Sequence, residues 1–111
     1  MAGVGGAMSI RERLSGRNFL IDSGADECVF PASHSDQSLP QSSLLQAANG
    51  LEIRTFGKRE ISLSFAPGHR IKHRFWIADV TRWILGCDCF LAQNLMIDVR
   101  RRSLVLSLIH I

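Results

Sequence analysis

The sequence predicts an all-β domain with one short helix near its C-terminal end. Short apolar runs separated by Gly, Pro and Asn recur along its 111 residues, which is typical of strands joined by turns. Residues 60–65 alternate strictly between polar and apolar side chains, the period of a half-buried strand. Asn49-Gly50 separates two further runs, and this pair is a strong signal of a β-hairpin. A chain of this length forms one domain, here a sandwich or a barrel.

The N-terminal third is predicted to contain a hairpin, a short strand and a loop. Residues 9–14 and 19–22 flank a Gly-containing turn, the pattern of a hairpin. Residues 28–30 form a short strand that Pro31 ends, because proline cannot donate to a strand ladder. Residues 34–43 are polar and predict a loop, with His34 at the surface. We expect residues 1–8 to be a flexible leader and residues 9–111 to be the folded domain.

Residues 44–53 predict a second hairpin with Asn49-Gly50 at its tip. Two interpretations remain open from the residues alone. The hairpin is either an ordinary surface feature or a flap that closes over a substrate. The small residues Ala47, Ala48 and Gly50 would let a peptide backbone approach closely.

The second half predicts a long two-stranded arm, a helix and two last strands. Residues 53–65 are extended, with a bulge at Gly57, and residues 71–80 return after the turn at 66–69. His69 and His73 lie among Arg and Lys, so we expect both to be exposed. A helix is predicted from an Asp88 N-cap to Asn94. Strands over residues 95–99 and 104–111 complete the domain.

Charge and cysteine content limit the partners that the sequence predicts. The net charge is +3, and Arg100–Arg102 is expected to be a solvated turn, since no aromatic stacking platform accompanies it. Nucleic acid is therefore not an expected partner. The sequence contains no apolar run of about eighteen residues, the length that would predict a membrane span.

The three cysteines form no recognisable disulfide framework, so reduced thiols in a reducing compartment are expected. Cys87 and Cys89 make a poor zinc half-site, and no metal or cofactor is predicted.

Residues 19–26 carry the strongest indication of chemistry. Three apolar residues, Phe19-Leu20-Ile21, lead directly into Asp22-Ser23-Gly24-Ala25-Asp26. The run predicts a buried strand that delivers a carboxylate into a tight turn, where burial and neighbouring groups can shift its pKa. By itself, this motif fits a catalytic aspartate and an ordinary turn aspartate equally well.

Two later motifs favour the catalytic interpretation. Ala48-Asn49-Gly50 and Ile84-Leu85-Gly86-Cys87-Asp88 follow the first motif. In this order and spacing, the three resemble the retropepsin-type aspartic proteases, closest to those of gypsy-class LTR retrotransposons (peptidase A2 type). The resemblance covers residues 10–106. It implies an all-β, retropepsin-like acid-protease half-barrel with one short C-terminal helix, functional as a homodimer.

The resemblance also implies roles for individual residues. Asp22 would be catalytic, and Ser23, Gly24 and Ala25 would form the active-site loop. The substrate would contact the residues that line the cleft and the flap tip, namely Asp26, Ala48, Asn49 and Gly50. The activity would be that of an aspartic endopeptidase that cleaves a retrotransposon or retroviral-type polyprotein.

The sequence requires a second chain for this chemistry. Peptide hydrolysis by water needs both a base and an acid, and two adjacent carboxylates can share one proton and serve as both. Only Asp22 stands in an Asp-Ser-Gly motif, because Asp79, Asp88 and Asp98 are followed by Val, Cys and Val. Asp22 would therefore meet Asp22 of an identical chain. We expect this homodimer to act intracellularly, in the cytoplasm or within retroelement particles.

An alternative function keeps the fold but not the catalysis. Retroviral members usually carry Arg at the position of Cys87, and gypsy-class members usually carry Phe at that of Cys89. The flap also lacks a bulky tip residue. A decayed or domesticated copy could therefore act as a dimerisation or peptide-binding module.

Overall fold

The computed structural model describes residues 8–22, 24–46, 50–98, 100 and 103–106. These residues form ten strands, one α-helix and a short 3-10 turn at Asp36–Ser38. The strands are β1 (Met8–Arg11), β2 (Asn18–Ile21), β3 (Val29–Pro31), β4 (Leu45–Gln46), β5 (Glu52–Ile53), β6 (Thr55–Ala66), β7 (His69–Ala78), β8 (Trp83–Leu85), β9 (Leu95–Asp98) and β10 (Ser103–Leu106). The helix, α1, is Cys87–Ala92.

A mixed six-stranded sheet in the order β1-β2-β8-β3-β7-β6 forms the body of the protein. Strands β2 and β8 run parallel, as do β3 and β7, whereas the hairpin pairs are antiparallel. The short inner strands are apolar because neighbouring strands and the core cover them. Their ends are therefore fixed in position by packing on several sides.

Both predicted hairpins of the main sheet are confirmed. In the first, Arg11 pairs with Asn18, so the connection spans residues 12–17. In the second, Ala66 pairs with His69 across a two-residue turn. Gly57 has a φ of +97° and lies where the register between β6 and β7 shifts, which confirms the predicted bulge.

Met8 belongs to β1 and pairs with Ile21, while residues 1–7 lie outside the described part of the chain.

Glu12, immediately after β1, is a buried carboxylate that lies outside the motifs found in the sequence. Its side chain is 1% exposed. Its carboxylate oxygens accept hydrogen bonds from the backbone N–H groups of Leu14, Ser15 and Ser64 and from the Ser15 hydroxyl, at 2.6–2.9 Å. Burial alone raises the pKa of Glu12, but these four hydrogen bonds together lower it below its ordinary value. Glu12 therefore ties the β1–β2 turn to β6.

An aromatic cluster fixes the centre of the sheet. Phe30 stacks on Trp83 with ring centroids 4.7 Å apart, and Phe19 meets Phe75 edge to face at 6.1 Å. Phe19 and Phe75 are almost completely buried. These contacts join β2, β3, β7 and β8, so the chain that leaves β2 and β8 starts from a rigid support.

The C-terminal region confirms the helix but corrects where it begins. Its N-cap is Gly86, with no side-chain cap, so the predicted Asp88 N-cap is wrong. Asn94 ends the helical region at a φ of +55°, as predicted. Strands β9 and β10 pair with each other and with no other described strand. Among the described residues, no helix has the length and apolar character needed to span a membrane.

Candidate active site

Asp22 lies at the end of a buried strand in the middle of the sheet. Ile21, the last residue of β2, is 1% exposed and pairs with Leu85 of β8. The backbone N–H of Asp22 donates to the Leu85 carbonyl at 3.1 Å, which extends this pairing by one residue. The half-buried Asp22 side chain therefore begins from a backbone position that both strands determine.

A tight turn then folds back over this aspartate. The N–H of Ala25 donates to the Asp22 carbonyl at 3.1 Å, and the N–H of Gly24 donates to Asp22 Oδ1 at 3.0 Å. Aspartate commonly forms turns of this kind. A Cβ atom at Gly24 would lie 3.3 Å from Asp22 Oδ1, so a larger residue would press on the carboxylate. Ser23 lies outside the described residues.

Gly86 allows the chain after β8 to support the loop from behind. A Cβ atom at this position would lie 2.7 Å from the Glu27 carbonyl and 2.9 Å from the Ala25 oxygen. Because Gly86 has no side chain, the next two N–H groups can reach the loop. Cys87 donates to the Ala25 carbonyl at 2.9 Å and Asp88 to that of Asp26 at 3.0 Å. The start of α1 therefore fixes the shape of the aspartate loop.

A cavity of about 400 Å³ opens beside the loop. Three acidic residues, Asp22, Asp26 and Glu27, belong to its lining. The remaining lining is mainly apolar and comes from the β4–β5 hairpin, the sheet and the β7–β8 connection: Val29, Leu45, Gln46, Ile53, Val80 and Ile84, together with Gly24 and Ala25. Carboxylates within a largely apolar concave surface are typical of ligand and substrate sites.

The β4–β5 hairpin is held at its base by hydroxyl groups. Leu45 pairs with Ile53. Ser42 N donates to the Thr55 carbonyl at 2.9 Å, and the Ser42 and Thr55 hydroxyl oxygens lie 2.8 Å apart. The Thr55 hydroxyl also donates to the Ser43 carbonyl. These bonds position the two short strands of the hairpin beside the cavity.

The overall structure is similar to two solved retroviral-type protease structures. It matches the retroviral protease-like domain of Ddi1 from Leishmania major with a TM-score of 0.67 and 15% identity, covering 91% of this chain and 88% of that one. It matches EIAV protease in complex with an inhibitor with a TM-score of 0.55 and 22% identity, covering 79% and 86%. The chain has the retropepsin fold. No family model and no curated protein matches the sequence.

The retropepsin fold predicted from the three motifs is thus confirmed. The structure brings four of the predicted site residues, Asp22, Gly24, Ala25 and Asp26, to one cavity. Gly50 is exposed with a φ of +87°, and it is not part of the described cavity lining. Ala48 and Asn49 lie outside the described residues.

Sequence reasoning missed several residues that line the cavity of this retropepsin fold. Leu45 and Ile53 belong to the predicted hairpin, and their apolar character on paired strands could have indicated a shared face. Glu27, whose carboxylate lies 3.6 Å from the Lys58 ammonium group, has no neighbouring sequence pattern that would predict a place in the cavity.

The exposure predicted for His73 is wrong: its side chain is 13% exposed and lies 3.0 Å from Asp88.

Proposed function

We propose that this chain is an aspartic endopeptidase in which Asp22 activates the attacking water. The position of the Asp22 carboxylate is the observation that carries the proposal. It is held at the end of a rigid strand and lines a cavity large enough for part of an extended peptide. Only one hydrogen-bond donor, the N–H of Gly24, contacts it within the described residues. A carboxylate with so few fixed partners retains oxygen lone pairs for a water molecule.

The reaction requires a second carboxylate, and a second copy of the chain is the proposed source. A two-fold axis beside the loop would place two Asp22 side chains together through a self-complementary interface. Two carboxylates at such short range cannot both ionise, so they would share one proton. The ionised group accepts a proton from water, and the protonated group supplies one to the leaving nitrogen.

The C-terminal strands support a dimer of this kind. Strands β9 and β10 form a separate two-stranded sheet within the described residues, and Met96 is 50% exposed on it. Leu95 and Leu104 pack on the core, but neither strand pairs with any other described strand, and an unpaired strand edge is a template for a further strand. Pairing with the same strands of a second copy would extend this sheet and cover apolar surface. We therefore propose that the terminal strands form part of the dimer interface.

The proposed substrate is an extended polypeptide, specifically a retroelement polyprotein. Leu45 and Ile53 from the hairpin, Ile84 from the sheet and Val80 from the β7–β8 connection give the cavity apolar walls, which suit apolar peptide side chains. Asp26 and Glu27 lie at the same cavity and can accept hydrogen bonds from peptide N–H groups. The proposed location is intracellular, in the cytoplasm or in retroelement particles.

A peptide-cleavage assay tests the catalytic role directly. The wild-type chain, Asp22→Asn and the surface control Asp79→Asn are compared across acid pH with a peptide library. Asp22→Asn should lower turnover by about 10²–10⁴-fold or more, the contribution of a general base, while Asp79→Asn should match wild type. The wild-type pH profile should be bell-shaped, because one Asp22 carboxyl group must be protonated while the other is ionised. Equal turnover by Asp22→Asn and wild type would reject the proposal.

Sedimentation tests whether two chains form the active site together. The dimer fraction should rise with chain concentration and with an aspartic-protease inhibitor, and activity should follow the dimer. An active monomer would contradict the proposed pair of Asp22 side chains. A stable dimer that binds peptides without cleaving them would instead favour the binding-module alternative that Cys87 and Cys89 suggested.

A further inference from the structure

A cluster of metal-ligating side chains lies behind the aspartate loop, distinct from the cavity. Cys28, His73 and Cys89 each offer a ligand atom, and these atoms all lie within 4.8 Å of one another. The residues come from three separate segments: the position before β3, the middle of β7, and α1. Both thiols are completely buried, and the imidazole is 13% exposed.

The polar contacts of His73 point to an open ligand position. Its Nε2 atom is buried and makes no well-aligned hydrogen bond, although Asp88 Oδ2 lies 3.0 Å away. A buried ring nitrogen without a hydrogen bond is costly, and a metal ion would satisfy it.

Contacts around Cys28 extend the same network. Its Sγ lies 2.9 Å from Asp88 Oδ1, and the backbone N–H of Gly86 donates to that sulfur at 3.2 Å. Asp88 therefore touches two of the three members of the cluster. The amide N–H of Gly86, directed at the sulfur, would stabilise negative charge on a thiolate.

We propose that Cys28, His73 and Cys89 bind one zinc ion, with the Asp88 carboxylate as the fourth ligand. Thiolate, imidazole and carboxylate are the ligands that zinc takes in tetrahedral sites. The Cys28, His73 and Cys89 ligand atoms, which lie within 4.8 Å of one another, would need to draw together by up to roughly 1 Å to reach bonds of about 2.0–2.3 Å, and the Asp88 oxygens would move slightly away from Cys28 and His73. Asp88 already contacts two of the other ligands, so the fourth position needs no distant group.

Zinc uptake would be coupled to proton release. Each coordinating thiol must give its proton to solvent as the zinc–sulfur bond forms. The zinc dication thus replaces two thiol protons, and no oxidation or reduction takes place.

Such an ion would act as a structural link. It would join the residue before β3, strand β7 and helix α1 at one point. Cys87 and Asp88 in the same helix hold the aspartate loop through its Ala25 and Asp26 carbonyls. Zinc binding does not require peptidase activity, because metal uptake is measured directly and an inactive chain could still bind zinc.

The test uses the full chain, reduced and freed of metal, titrated with zinc against a chromophoric chelator. One zinc ion per chain should bind, and the melting temperature should rise. Cobalt(II) in place of zinc should give the charge-transfer absorption of thiolate ligands. X-ray absorption of the zinc-loaded chain should show sulfur neighbours at about 2.3 Å and lighter ligands at about 2.0–2.2 Å.

Variants identify the ligands. Cys89→Ser and Asp88→Asn should each weaken zinc binding by at least ~10–100-fold, the range for loss of even an outer partner. Cys87→Ser, on the same helix but outside the cluster, should bind zinc as wild type does. If Cys89→Ser fails to fold, the cobalt spectrum and X-ray absorption of the wild-type chain still show whether thiolates bind the metal.

Three results would overturn the proposal. The first is a reduced wild-type chain that takes up no zinc, and the second is bound zinc with no sulfur neighbour. The third is a Cys28–Cys89 disulfide that persists in reduced glutathione, because that bond would remove both thiolates.

Discussion

Glu12 and Asp22 occupy equivalent positions in the first hairpin but have opposite surroundings. Glu12 directly follows β1, and Asp22 directly follows β2, at the other end of the antiparallel pair. The Glu12 side chain is 1% exposed and accepts four hydrogen bonds. The Asp22 side chain is half-buried, lines a cavity and accepts one described hydrogen bond.

This contrast separates a structural carboxylate from one that is available for chemistry. Four described hydrogen bonds, from three backbone N–H groups and one hydroxyl, occupy the Glu12 carboxylate, so its lone pairs stabilise the fold. The Asp22 loop is instead held through its backbone, by Leu85, Cys87 and Asp88. Its carboxylate contributes little to that support. Removing Glu12 should therefore affect stability, and removing Asp22 should affect activity.

The largest expected effect on stability is that of Glu12→Ala. The substitution leaves the buried N–H of Ser64 and two N–H groups of the turn without their acceptor. We expect a loss of about 3 kcal/mol in the free energy of unfolding. Urea unfolding at equal chain concentration measures it. The exposed control Glu60→Ala should stay within about 0.5 kcal/mol of wild type. Similar values for the two variants would show that Glu12 is not a structural group.

Gly86→Ala should follow, with a loss of about 1–3 kcal/mol. Its φ of −102° suits any residue, so the cost comes from a Cβ atom 2.7 Å from the Glu27 backbone. Gly50→Ala is the matched control: it has a φ of +87° but no atom within 4 Å of the added Cβ. Gly50→Ala should lower the free energy of unfolding by about 1 kcal/mol, the cost of holding alanine in a left-handed backbone conformation. A larger loss at Gly50 than at Gly86 would argue against close support of the aspartate loop.

A pH series should show the Glu12 contribution with a defined sign. Because the hydrogen bonds lower the pKa of Glu12 in the folded protein, its stabilisation is present above the ordinary value of 4.5 and is lost as the pH falls through the lower folded value. The unfolding free energies of wild type and Glu12→Gln should therefore differ at neutral pH and converge below about pH 4.5. A difference that is constant over this range would contradict the lowered pKa.

Asp22→Asn should have the smallest effect on stability, within about 0.5 kcal/mol. The carbonyl oxygen of asparagine can still accept the hydrogen bond from Gly24. Thermal and urea unfolding of this variant would complete the comparison with Glu12. A loss of several kcal/mol would place Asp22 with Glu12 as a structural group, and any accompanying loss of activity could no longer be assigned to chemistry.

Local sequence signals predicted the hairpins, the Gly57 bulge and the position of Asp22 at a strand end. These features depend on neighbouring residues, because side-chain alternation and turn preferences act over only a few positions. The sequence predicts Asp88 as the N-cap of α1, because aspartate favours such sites. The structure begins the helix after Gly86 instead, since the backbone there must approach the Glu27 carbonyl.

The sequence by itself determined the β-rich fold and identified Asp22 as a candidate catalytic residue, because both predictions depend on short periodic runs and compact motifs. Only the tertiary structure showed that Glu12 is buried, that His73 lies against Asp88, and that Cys28 and Cys89 meet beside it. The contacts of Glu12 with Ser64, of His73 with Asp88 and of Cys28 with Cys89 join residues 52, 15 and 61 positions apart in the chain. No local pattern encodes such distances; they follow from how the strands and the helix pack.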